Sequence, residues 1–100
     1  MENTQTVIRR PQLKNIDAAI KAWYGTGYIN NSTIAKIFGV RSDATVARLK
    51  KAVRAEEVER GIPTVVPFHV NVKVAFEVWN IDINELVKNR EKLIKLGMQP

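Results

Sequence analysis

Gly39 restricts this chain more than any other residue. It stands between two stretches with apolar residues at helical spacing, Ile34, Ile37 and Phe38 before it and Val46, Leu49 and Val53 after it. Glycine takes the left-handed backbone without steric penalty, so one helix can stop there and another start within a few residues. Asn30 is a natural cap for the first helix and Ser42 for the second, because short polar side chains accept from the orphan amides of a first turn. Ala35 is small where two closely connected helices must cross. Val40, Val46 and Leu49 then pin the second helix to the first, each burial being worth roughly 1.5–3 kcal/mol.

The segments on either side extend this pattern. An earlier helix is expected from about Pro11 to Tyr24, with proline in the first turn, where its missing N–H is no loss. Leu13, Ile16, Ile20 and either Trp23 or Tyr24 form its apolar face, Gly25 and Gly27 end it, and residues 1–8 read as a frayed tail. Beyond the Ser42-capped helix, Glu56, Glu57 and Glu59 make an acidic patch before Gly61 and Pro63 stop the helix. Residues 61–70, with two prolines and four valine or isoleucine residues, read as an extended connector.

Residues 64–79 admit two readings. Phe68, Val70, Val72, Val74, Phe76 and Val78 alternate as in a strand, which would make a wing or a dimer-crossing ribbon. Val72, Ala75, Phe76 and Trp79 also line one helical face, with Asn71 as cap. The helix is preferred, because the capping box Asp82-x-x-Glu85 follows at once and suggests a helical hairpin. In the last helix Ile83, Leu86, Val87, Leu93 and Ile94 form a stripe with Arg90 at the same spacing, and Gly97 terminates it. Arg90, Lys92 and Lys95 lie toward its C-terminal end, where the helix dipole favours cations.

The expected fold is thus all-α, a single domain over 1–100. It has a three-helix part at 11–60, a connector at 61–70 and a helical part at 71–97. A length of 100 residues supports one core, and a composition 45% hydrophobic and 26% charged is that of a globular chain. No run of 18 apolar residues occurs, so no transmembrane helix is expected. The opening MENTQTVIRRP lacks the apolar stretch of a secretory leader, which points to the cytoplasm. Without cysteine there is no disulfide, thiol nucleophile or zinc–cysteine site, as suits a reducing compartment.

The net charge of +6 is unevenly spread. Residues 36–54 carry Lys36, Arg41, Arg48, Lys50, Lys51 and Arg54 against Asp43 alone, whereas residues 61–100 carry five basic side chains against four acidic ones. Such clustering suits a polyanionic partner.

Ile34-Ala35-x-x-x-Gly39-Val40, followed by Ser42-x-x-Thr45-Val46-x-x-Leu49, resembles the prokaryotic helix-turn-helix DNA-binding proteins over roughly residues 30–54. So small and basic a chain also resembles products of phages and mobile elements. One departure is the insertion of Arg41, where the usual turn runs from Gly-Val straight to the capping serine. The resemblance implies double-stranded DNA as partner, with the second helix in the major groove. Ser42, Asp43, Thr45 and Arg48 would then face base edges, arginine being suited to guanine O6 and N7. Arg41, Lys50, Lys51 and Arg54 would meet phosphates, as would Asn30 and Ser32 at a helix N-terminus. For Asp43 the alternative of serving only the helix dipole is the better reading. The family's habit of binding as symmetric dimers makes a homodimer the favoured oligomer and residues 71–97 the candidate dimerisation part.

Sequence-specific DNA binding in transcriptional regulation is the leading expectation. A phage DNA-packaging or recombination accessory protein and a protein-interaction module are the alternatives. No glycine-rich phosphate loop, paired catalytic carboxylates or ligand cluster is present, so neither an enzyme nor a cofactor is expected. His69, the only histidine, lies beside two prolines and has no catalytic or metal-binding partners. Trp23, Tyr24, Phe76 and Trp79 fall on apolar faces and read as core or interface in preference to a single-strand stacking surface.

Overall fold

The computed structural model describes residues 9–98; the tail at residues 1–8 lies outside them. Its elements run α1 (Ile16–Trp23), β1 (Tyr28–Ile29), α2 (Asn31–Phe38), α3 (Asp43–Glu59), β2 (Val70–Asn71), α4 (Val72–Val78) and α5 (Ile83–Lys95). The fold is mostly helical. It departs from an all-α chain in one two-stranded antiparallel ladder, in which Tyr28 faces Asn71 and Ile29 faces Val70.

The two caps and the glycine turn form as their sequence suggests. The Asn30 side chain accepts from the Thr33 amide at 2.9 Å, and Ser42 Oγ accepts from the Thr45 amide at 3.3 Å. Between them Gly39 adopts φ 61°, ψ 34° and its N–H donates to Ala35 O, ending α2. Ile34, Ile37 and Phe38 on α2 and Val46, Leu49 and Val53 on α3 are all buried in one core.

The first helix begins later than Pro11. Asn15 caps it, its side chain accepting from the Ala18 amide at 2.9 Å. The amides of Lys14 and Asn15 both donate to Ile37 O, at 3.0 and 3.1 Å. That tie to the end of α2 holds the approach segment out of the helix, so Pro11 fills no first turn.

Residues 72–78 are helical, and the strand alternative survives only as Val70–Asn71. The reason is local: the Asn71 side chain accepts from the amides of both Lys73 and Val74, starting a helix where the alternating pattern would continue a strand. This α4 is no arm of a separate hairpin. Val72, Val74, Ala75, Phe76, Val78 and the following Trp79 are buried, and α4 packs chiefly on α3 while α5 lies across α1. Trp79 sits at the centre, its indole N–H donating to Leu49 O at 3.2 Å and its ring edge-on to Phe38 with centroids 5.3 Å apart. Phe76 is buried against Trp23, whereas Tyr24 is exposed.

The acidic patch at the end of α3 is also different in kind. Glu56 and Glu57 are buried. Glu57 Oε2 accepts from the Asn71 amide at 2.7 Å, and Arg54 lies 3.2 Å from Oε1. Glu56 pairs with Arg60, which reaches on to Glu77. Glu57 thus fastens α3 to the β2–α4 junction and Arg60 ties the end of α3 to α4, roles only the fold brings about.

Candidate nucleic-acid interface

The face of α3 turned from the core is where the expected site residues can be judged. Burial of Val46, Leu49 and Val53 leaves Ala44, Ala47, Arg48, Lys51 and Ala55 exposed on the opposite side. Between Asp43 and Glu56 the helix has four cations and no acid. The alanines keep this face low, so a flat surface can approach the helix closely while Arg48 and Lys51 project from it. Ala44 and Ala47 were absent from the expected site, although their spacing opposite the apolar stripe marks them.

Arg41, Ser42 and Asp43 are exposed at the N-terminal end of this face. Ser42 is engaged as the cap, and Asp43 stands in the first turn, where its charge suits the helix dipole. Thr45 is half-buried, leaning toward the core side. Arg48 Nη1 donates to Arg9 O at 2.8 Å, which sets the backbone of Arg9 beside one flank of α3 and leaves the other guanidinium N–H groups available. Lys51 is exposed.

Lys50 and Arg54 are turned toward the opposite flank. Lys50 Nζ donates to Phe68 O at 2.7 Å, and Arg54 Nη1 is shared between Glu57 Oε1 and Thr64 Oγ1, at 3.2 and 3.1 Å. Burial, and then the neighbouring charge of Arg54, lower the Lys50 pKa from its ordinary value. Both side chains hold the connector antiparallel to α3, so their donors are used within the molecule. The sequence signal for this was their position next to Leu49 and Val53, off the centre of the outer face.

Asn30 and Ser32 are exposed at the start of α2, with Asn30 Oδ1 engaged by Thr33. Lys36, also exposed, instead borders an open groove of about 510 Å³ that Asp17, Lys21, Tyr24 and Arg90 help to line. Arg90 is paired there with Asp17 at 2.6 Å. The basic segment of the sequence is therefore divided in space, with Arg41, Arg48 and Lys51 on the outer α3 surface and Lys36 facing the groove.

Among the described residues no three His, Cys, Asp or Glu side chains gather as a metal site would require. His69 is half-buried, with Nδ1 2.8 Å from Pro67 O. No helix among them is long and apolar enough to cross a membrane. No protein-family model, curated protein or solved structure matches this chain.

Proposed function

We propose that this chain is a helix-turn-helix protein of prokaryotic type that binds double-stranded DNA sequence-specifically through α3 and acts in transcriptional control. The observation that carries the reading is the exposed α3 face, where Arg48 and Lys51 rise between alanines on a helix started by the glycine turn at Gly39. An α-helix fits the major groove, and small residues let its backbone come near the base edges. Arg48 is the base-reading side chain. Arg41 and Lys51 contact phosphates and set affinity and register. Asn30 and Ser32 border the strand that the α2 N-terminus meets.

The protein works as a homodimer in the cytoplasm, placing two α3 helices on half-sites about one helical turn apart. Because α4 is enclosed in the protomer's own core, α5 is the element of the C-terminal part that supplies the dimer contact. Ile94, Leu96 and Met98 at its C-terminal end are exposed, which supports this assignment.

Selection of bound sequences from a random duplex pool tests the proposal. A shared motif should emerge, and Arg48→Ala should lose roughly 1–3 kcal/mol on it while relaxing preference at one base pair. Recovery of no common sequence would defeat the claim of specificity.

A further inference from the structure

Val66, Pro67, Phe68 and His69 form a tight turn, closed by His69 N donating to Val66 O at 3.2 Å. Phe68, the third residue, has φ 63°. That position ordinarily takes glycine or asparagine, and a bulky L-residue in it is strained. Burial does not offset the strain, because Phe68 is 81% exposed, the most exposed of the large apolar side chains among the described residues. An exposed aromatic on a strained turn is a feature that stability alone does not account for.

The turn is held to α3 by the bonds already described. Lys50 Nζ grips the Phe68 carbonyl itself, and four residues back Thr64 is bonded by Arg54. The turn that bears the ring is thereby carried along one flank of α3, with the Lys50 ammonium at its backbone. A duplex that received α3 in its major groove would bring a sugar–phosphate strand and the adjoining minor groove to such a flank. The Lys50 charge, which has only a neutral carbonyl for a partner, complements the phosphates, and the base stack is the apolar target within reach of the ring.

Resting on the reading of α3 as the DNA-contacting helix, we infer that Phe68 is an apolar wedge that enters the minor groove beside it and kinks the duplex. Side chains used this way partly unstack a base step and bend DNA by roughly 20–90°.

The test compares the parent with Phe68→Gly, Phe68→Leu and Lys51→Ala on duplexes selected from a random pool. Binding is read by anisotropy, bending by energy transfer between end labels, and oligomeric state by sedimentation. Phe68→Gly relieves the strained position, so its unfolding midpoint should rise by roughly 5 °C. It should bind about tenfold more weakly with the bend lost, and with an unchanged salt slope because no charge is removed. Phe68→Leu should keep most of the bend. If Phe68→Gly binds and bends DNA like the parent while Lys51→Ala binds more weakly, the wedge is refuted and the α3 reading stands. If Phe68→Gly instead converts a dimer to a monomer, the ring is a subunit contact and the wedge is again refuted. A parent protein with no affinity for duplex DNA at low salt overturns both readings.

Discussion

Replacing Gly39 with alanine tests the turn between α2 and α3, and Gly61→Ala supplies the calibration. Both glycines are left-handed, with φ 61° and 71°. Placing any other L-residue there costs about 1–2 kcal/mol. Their surroundings differ. A Cβ on Gly61 would meet nothing within 4 Å, whereas one on Gly39 would stand 2.9 Å from Lys14 Cγ and 3.0 Å from Lys14 Cβ. Lys14 has little freedom to retreat, since its own amide is bonded to Ile37 O at 3.0 Å. Gly61→Ala should therefore show the backbone cost alone, and Gly39→Ala that cost plus an overlap, roughly 2–4 kcal/mol in all. For a domain of this size each kcal/mol lowers the midpoint by about 4–8 °C, well within the reach of thermal unfolding followed by far-ultraviolet circular dichroism. Equal losses in the two variants would refute the close approach of Lys14, and no loss at Gly39 would refute the strained turn itself.

Two further substitutions probe the parts that hold the α3 scaffold. Glu57→Ala leaves the Asn71 amide without its acceptor and should cost about 2 kcal/mol in urea unfolding, whereas Glu57→Gln keeps an acceptor oxygen and should cost less than about 1; equal midpoints for the two variants would argue against that bond. Trp79→Phe removes the buried donor to Leu49 O and should cost roughly 1–3 kcal/mol, leaving only the half-buried Trp23 to fluoresce at longer wavelength; unchanged emission and stability would contradict the central placement of Trp79.

The parts of this fold written locally were legible in the sequence. Asn30, Gly39 and Ser42 act within four residues of themselves, and the stripe of Val46, Leu49 and Val53 defines the outer face of α3 without reference to the rest of the chain. What escaped depends on distant partners. The start of α1 is set by bonds from Lys14 and Asn15 to Ile37 O, which overrule proline's preference for a first turn. A ladder of two residues per strand is too short for any alternation to announce it. Glu57 looks like a solvated acid until the fold sets the Asn71 amide beside it. Lys50 and Arg54 likewise look like free cations until the connector folds back along α3. The candidate site was thus readable as a helix face, while the division of its cations between outer surface and scaffold was not.

The salt dependence of binding to a selected duplex tests the central claim most directly. With Lys50 and Arg54 engaged internally and Lys36 facing the groove, Arg41, Arg48 and Lys51 remain on the outer α3 surface, so log affinity should fall against log salt with a slope of roughly −2 to −3 per protomer. Lys51→Ala should reduce that slope by about one unit and weaken selected and scrambled duplexes alike. A slope near zero, or a Lys51→Ala variant with the parent's slope and affinity, would contradict the assignment of the α3 face to DNA.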